Sequence, residues 1–298
     1  MRILSFADSS GRRRLAVAGP EGVWRDVTSA ALGSDAADTM VSPMRQFLSR
    51  NGSWASLASA AATADAEKAD IAVVLPPVPD PGKIVAAPVN YRDHQVEMSE
   101  TTAIDSLGVF LKAPSSLTAD GGIVRLPYHD RRFDQEGELA VIIGRAASGV
   151  QREDALDYVA GYACLLDMTM RGGEDRSVRK SFNTFTPVGP YLVTPDEVGD
   201  VAGLKLRTWV DDQLRQDAPL ADLIWDVPKL INYASSVMTL HPGDLIATGT
   251  PAGVGQVRDG QRITVEITRV GRLQVNVTSD GAVACPTLGK GRGPVPPP

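Results

Sequence analysis

The chain has 298 residues, 43% of them hydrophobic and 22% charged, with a formal net charge of −6. That is globular composition with ample apolar material for a large core, and without a block of Lys or Arg it argues against nucleic acid and anionic membranes as partners. Two cysteines, Cys164 and Cys285, with no paired-cysteine spacing, no apolar run near the ~20 residues of a membrane span and no signal-peptide pattern at the start together read as a soluble cytoplasmic protein.

The first strands are expected at "RILSFA", "RRLAVAG" and "VWRDVT", the last two joined by the turn "GPEG". A helix should start at Ser42, with Pro43 in its first turn and Met44, Phe47 and Leu48 on its apolar face; an Ala-rich helix should follow between Ser53 and Glu67. "LPPVPDPGK" packs four prolines into nine residues, a stiff linker that ends a small N-terminal α/β domain at residue 79. From residue 80 the texture is mostly β, through "KIVAAPV", "ELAVIIG", the hairpin "KLRTWVDDQLRQ" around Asp211 and Asp212, and "DLIATGT". In "RITVEITRVGRLQVNVTS", Ile263, Val265 and Ile267 alternate on one arm, with Leu273, Val275 and Val277 on the other. Helices are expected at "EDALDYVAGY" and at "DVPKLINYASSVMTL", where Asp226 caps and Pro228 sits in the first turn. Residues 287–298, ending "GKGRGPVPPP", have too few apolar groups to pack and read as a disordered tail. The fold class is a β-rich α+β catalytic domain, residues 80–286, behind the small N-terminal unit.

Four clusters carry possible chemistry. In "FDQEGELAVIIG", Glu136 and Glu138 share a strand face about 6–7 Å apart, where like charges repel unless a proton or cation stands between them. Asp134 lies on the same alternation and is placed outside the ligand set, supporting the strand mouth. Asp167 ends the apolar stretch "YACLL". Three carboxylates without His or Cys suit Mg²⁺, Mn²⁺ or Ca²⁺ rather than Zn²⁺; the same spacing also suits a solvated strand edge with Asp167 as a cap. In "VNYRDHQVEM", His94 and Glu97 stand at i and i+3, fit to meet on a helix and orient the imidazole as a base, or to form a surface pair. Lys180 precedes the Pro/Thr-rich "SFNTFTPVGP", where it could neutralise an oxyanion or be solvated beside Arg179. "TGTPAGVG" follows a strand and could cradle an anion with backbone N–H groups and the Thr250 hydroxyl. No Walker loop or dinucleotide fingerprint accompanies it, so a nucleotide site is not expected.

Taken in order, "VNYRDHQVE", "FLKAPSS", "FDQEGELAVIIG", "GYACLLDMTMR", "KSFNTFTPVGP" and "TGTPAGVG" resemble the fumarylacetoacetate hydrolase family over roughly residues 80–280. The likeness is to bacterial acylpyruvate hydrolases and the related 2-oxo acid hydratases and isomerases. It implies a mixed β-roll, a homodimer, and Mg²⁺ or Mn²⁺ held by Glu136, Glu138 and Asp167. It also implies that His94 and Glu97 activate water from a mobile lid, that Lys180 and Thr250 face the substrate, and that Lys112 and Arg171 help to bind it. The sequence departs from the family after Asp167: Leu166 stands for Asn, Gly172 for Asp, and Glu174 for the usual Gln; Asn183 stands where Asp is frequent. Glu174 is expected at the substrate, where an acid in place of an amide disfavours a nearby anionic group.

The implied activity is hydrolysis of a carbon–carbon bond in a 2,4-dioxo acid of the acylpyruvate type, in catabolism of aromatic or other small carbon compounds. The substrate's keto and carboxylate oxygens would meet the metal, Lys180 would stabilise enolate character, and His94 would deprotonate the attacking water. Decarboxylation, isomerisation or hydration of a related 2-oxo acid shares the enolate and is the alternative; a non-catalytic metabolite-binding relative is the reading from another class. His94 and Glu97 favour hydrolysis, since the alternatives to it do not all need activated water.

Overall fold

Gly137–Ile143 and Val159–Leu166 pair antiparallel in the middle of the molecule, with Gly137 opposite Leu166 and Ile143 opposite Val159. Every residue of the first strand is buried, and every residue of the second except Val159. A strand covered on both faces calls for a continuous apolar run rather than alternation, which is how both read. The architecture is that of a computed structural model describing residues 1–19, 22–33, 40–63 and 66–296.

Around this pair the main sheet runs Trp24–Asp26, Arg13–Ala18, Arg2–Ala7, Thr186–Val193, Val159–Leu166, Gly137–Ile143, Leu245–Ala247, Ile84–Ala86 and Phe110–Lys112. The boundary expected near residue 80 is therefore no break in the sheet. Arg2–Ala7 pairs with Thr186–Val193, and Leu15, Phe47 and Leu57 share one core cluster with Ile142, Leu165 and Val188. The short N-terminal strands complete their hydrogen bonding and bury their apolar face only by joining that larger sheet.

A second sheet orders Gln213–Pro219, Lys205–Val210, Arg262–Ile267, Gly271–Thr278 and Ile123–Arg125. Its alternating hydrophobics, Ile263 to Val277, are all buried, as the period of two requires. The hairpin at Asp211 turns with that residue at φ 55°, a conformation Asp tolerates. Ser42, Ser53 and Asp226 each cap a helix by accepting a backbone N–H, from Arg45, Ser56 and Lys229.

Three sequence expectations change. The Ala-rich helix spans only Trp54–Ala61, and Ala64 and Asp65 lie outside the described residues, as do Pro20 and Glu21 of the "GPEG" turn. "EDALDYVAGY" is not one helix: Arg152–Tyr158 is a 3-10 helix and Val159 already opens the central strand, since pairing along that strand outweighs local propensity. Residues 287–296, expected to be disordered, lie against the body. Gly173 donates its N–H to the Gly289 carbonyl (3.1 Å), and Arg132 Nη1 donates to the Pro296 carbonyl (3.3 Å). The segment packs through backbone and glycine rather than through apolar side chains; Pro297 and Pro298 are outside the described residues. Among the described residues, no helix is long and apolar enough to cross a membrane.

Candidate functional site

The acidic row is divided between two sheets. Phe133–Gln135 belongs to a small sheet with Thr169–Met170 and Gly255–Gln256, whereas Gly137–Ile143 belongs to the main one. Glu136 sits at the crossover. The neighbouring strand changes sheet at the same level: Leu166 ends it, and Asp167 donates its N–H to the Glu136 carbonyl (2.8 Å). Carboxylate oxygens of Glu136, Glu138 and Asp167 thereby lie within 4.8 Å of one another, all three side chains buried. Glu138 Oε2 also accepts the N–H of Gly249 (2.7 Å). Gly249 has φ +92°, and a Cβ there would stand 2.7 Å from Cβ of Asn90, so glycine is what lets this backbone reach the carboxylate.

Cations hold part of the cluster. Lys180 Nζ donates to Glu136 Oε2 (2.5 Å), Asp167 Oδ2 (2.6 Å) and Thr169 Oγ1 (2.7 Å). Arg171 bridges Asp134 Oδ2 (2.7 Å) and Glu136 Oε1 (3.0 Å). Lys112 donates to Asp167 and to the Phe185 carbonyl (3.0 Å). Burial alone would raise the Glu136 carboxyl, but Lys180 and Arg171 outweigh it and hold the group well below its usual range. Glu138 goes the other way. Burial first, then the charges of Asp167 and Glu136, push it well above the carboxylate range. Among the described residues it has no cationic side chain within salt-bridge distance, only the Gly249 N–H. Buried, hard oxygen donors with one carboxylate left uncompensated fit a divalent cation, held by Glu136, Glu138 and Asp167.

Beside the trio opens a cavity of about 430 Å³, its mouth included, with Glu136, Glu138, Lys180, Arg171, Thr250 and His94 on its wall. His94 lies on the helix Arg92–Glu97, its Nδ1 3.0 Å from Glu97 Oε2. Glu97 Oε1 accepts the N–H of Gly253 (2.8 Å), which ties the helix to the Gly-rich loop. Thr250 is also held from behind: its hydroxyl donates to the Gly137 carbonyl (2.9 Å) and accepts from Gln216 Nε2 (2.7 Å).

Two residues expected to contact substrate stand elsewhere. Lys112 is wholly buried behind Asp167, where it compensates charge rather than lining the cavity. Glu174 is turned from the cavity to Arg131 Nη2 (2.6 Å) and to Thr287. Arg131 and Thr287 lower its carboxyl to about 2, the hydrogen bond from Arg131 being the largest cause. Lys180 lines the wall, but its three donors are all engaged by protein acceptors. Sequence reasoning passed over Asn90, Gln216, Arg179 and Pro294. Asn90 Nδ2 donates to the Trp225 and Thr248 carbonyls (2.9 and 2.7 Å) and its Oδ1 accepts the Trp225 N–H (2.7 Å), fixing the Gly-rich loop. Its place in "VNY" was the available signal; for Gln216, on a hairpin far along the chain, there was none. Pro294 reaches the cavity wall from the C-terminal segment.

The family model described as "Fumarylacetoacetate (FAA) hydrolase C-terminal" matches residues 83–278. A maleylpyruvate hydrolase of Aquipseudomonas alcaligenes is 46% identical over 217 residues, 69% of this chain and 76% of that protein. The oxaloacetate tautomerase YisK of Bacillus subtilis is 39% identical over 213 residues, 66% of this chain and 70% of that one. Among solved structures, maleylpyruvate hydrolase from Sphingobium sp. SYK-6, in complex with manganese(II) and pyruvate, superposes with a TM-score of 0.79. The two are 40% identical, and the match covers 94% of this chain and 99% of that one.

Proposed function

This chain belongs to the fumarylacetoacetate hydrolase family, and from that premise we propose that it hydrolyses a carbon–carbon bond in a 2,4-dioxo acid of the acylpyruvate type. The observation that carries the reading is that Glu136 and Glu138, two members of the buried trio with Asp167, line the same cavity as His94, whose imidazole Glu97 holds. A divalent cation bound by the three carboxylates would supply Lewis-acidic charge for the oxygens of a 2-oxo acid. Mg²⁺ or Mn²⁺ is the ion this reading takes, and manganese accompanies pyruvate in the Sphingobium enzyme.

The protein's own groups do the rest. Glu97 holds the Nδ1 side of His94 and so leaves Nε2 to take a proton from water, which attacks the carbonyl of the acyl group. The bond between that carbon and C3 breaks, and its electron pair moves toward the pyruvyl oxygen. Lys180 and Arg171 keep positive charge beside the trio while that negative charge develops. The proton held by His94 is then available to the carbon that was released. Thr250 and the Gly249 N–H fix the position of Glu138 and the cavity floor.

Tautomerases and combined isomerase/decarboxylases are among the similar proteins. Isomerisation of a 2-oxo acid needs no activated water, and His94 on the cavity wall, held by Glu97, is the feature that favours hydrolysis. The same reading takes a homodimer as the working form, on the family resemblance, and a cytoplasmic location, which two free cysteines suit. Purified protein with Mn²⁺ or Mg²⁺ and a panel of acylpyruvates, oxaloacetate and unsaturated 2-oxo diacids tests the reaction by product mass. Pyruvate plus a carboxylic acid is the expected outcome, reduced at least about 100-fold in His94→Ala. Full hydrolysis by His94→Ala, or turnover only of oxaloacetate, would overturn it.

A further inference from the structure

Residues 285–296 lie beyond the stretch that the family model matches, residues 83–278, yet Pro294 stands on the wall of the cavity beside the carboxylate trio. The segment is not held there by burying its large apolar groups, since Leu288 is 88% and Val295 45% exposed. Two neighbouring arginines hold it instead, one at each end. Arg131 Nη1 donates to Cys285 Sγ and to Thr287 Oγ1 (both 3.0 Å), and its Nη2 donates to Glu174, which also accepts the Thr287 hydroxyl. Arg132 Nη1 donates to the Pro296 carbonyl (3.3 Å). Cys285 adds its own N–H to Asp130 Oδ1 (2.9 Å), and the Gly173 N–H reaches the Gly289 carbonyl (3.1 Å) between the two ends.

These contacts run on into the site. Arg132 Nε donates to Asp134 Oδ1 (2.8 Å), Asp134 Oδ2 accepts from Arg171 (2.7 Å), and Arg171 also donates to Glu136 Oε1 (3.0 Å). A chain of charge-assisted hydrogen bonds thus joins the Pro296 end of the segment to a member of the trio. Close backbone approach fixes the middle. A Cβ at Gly289 would stand 2.2 Å from Glu174 Oε1, and one at Gly293, where φ is +75°, would stand 2.6 Å from the Gly172 carbonyl oxygen. Only glycine allows both approaches. Pro294 is therefore a fixed part of the wall.

A proline ring has no N–H to donate and little freedom to yield, so its effect on a ligand is steric. The cavity holds about 430 Å³, mouth included, near the small end of ligand sites, and a rigid ring on its wall takes up room that an acyl group would need. We propose that residues 285–296 form a strap that closes one side of the active cavity, and that Pro294 on this strap determines specificity by limiting the width of the acyl group. This rests on the acylpyruvate reading given above. Pro294 takes no part in water activation or in holding the cation. Arg131 and Glu174 are positioning residues: they act on the substrate only by fixing where the strap lies.

The test takes acetyl-, pivaloyl- and benzoylpyruvate, whose acyl groups grow in width, with full-length wild type, Pro294→Gly, Pro294→Trp and Glu174→Gln. In wild type kcat/KM should fall at least about tenfold from the narrowest to the widest substrate. Pro294→Gly should shrink that ratio to less than about threefold, and Pro294→Trp should widen it about tenfold further. Glu174→Gln keeps Pro294 but loosens its clamp, and should move the ratio in the same direction as Pro294→Gly; an unmoved ratio would overturn the positioning role. A wild type that does not prefer the narrow substrate, or equal changes on all three substrates in the Pro294 variants, overturns the proposal. Equal changes would mean that Pro294 serves the fold or the end common to all. A binding arm separates the strap from the reaction. With Mn²⁺ present, calorimetry with oxamate and N-benzyloxamate, which offer a 2-oxo acid end and no bond for this hydrolysis, should show the same Pro294-dependent ratio. That binding pattern without turnover of any acylpyruvate would sink the hydrolase reading alone, while a binding ratio unmoved in both Pro294 variants would sink the strap.

Discussion

Replacing Lys112 with methionine separates a charge-compensating role from a substrate-binding one. The Lys112 side chain is fully buried, donating to Asp167 and to the Phe185 carbonyl (3.0 Å). Methionine keeps much of the stem's packing, so the loss is chiefly electrostatic. Breaking one side of a buried ion pair costs about 3–5 kcal/mol. Here the lower end applies, because Asp167 keeps Lys180 at 2.6 Å. A loss of about 3 kcal/mol in a chain of this size lowers Tm by about 5 °C. The metal-free Lys112→Met protein should melt lower by that amount in calorimetry. Added Mn²⁺ should raise its Tm more than that of wild type, since a cation then meets a more negative trio. KM for an acylpyruvate should change less than about threefold if Lys112 does not touch substrate. A Tm like that of wild type together with a KM raised tenfold or more would refute the reasoning and return Lys112 to the substrate.

Other perturbations follow from the same contacts. Glu138→Gln should reduce turnover at least about 100-fold by removing a cation ligand, yet leave the metal-free Tm equal or higher, because it removes a buried acid whose ionised form burial, Asp167 and Glu136 disfavour; a lower metal-free Tm would count against that account. The Glu174 carboxyl is held down to about 2 by Arg131 and Thr287, so its share of stability is present above the ordinary value of 4.5 and lost as pH falls toward 2. Acid melts of wild type should show that loss between those values and Glu174→Gln should flatten it. Gly293 has φ +75°, and a Cβ there would lie 2.6 Å from the Gly172 carbonyl. Gly293→Ala should therefore lift the segment carrying Pro294, raise KM several-fold and expose residues 287–296 to limited proteolysis; an unchanged KM would remove the segment from the substrate cavity.

Glycines join that segment to the site. A Cβ at Gly289 would overlap the Glu174 carboxylate, and one at Gly172 would overlap Glu174 and Arg131. Gly172 lies where the sequence reads as a departure from family pattern, and Gly289 in the stretch that reads as a disordered tail. Gly172 and Glu174, where the family shows Asp and Gln, are parts of one contact: they hold the 287–296 segment through Arg131 and Thr287. Local composition gave no hint of this, because a glycine-rich stretch lacks apolar side chains whether it is free or pressed against another backbone.

The sequence by itself determined the elements that depend on neighbours within a few residues. The apolar run of Gly137–Ile143, the alternation from Ile263 to Val277 and the caps Ser42, Ser53 and Asp226 are local patterns with local causes. The i, i+3 spacing of His94 and Glu97 belongs with them, as does the acidic pair Glu136 and Glu138. Tertiary structure decided what each charge faces. Asp167 joins the two glutamates because adjacent strands leave the main sheet at the same level, and Glu138 lacks a cation because Lys180 and Arg171 reach only its neighbours. Lys112 and Glu174 turn to protein partners. Residue type fixes the sign of a charge; only the packed chain fixes its distance to the opposite sign and the water left around it, and those set its energy.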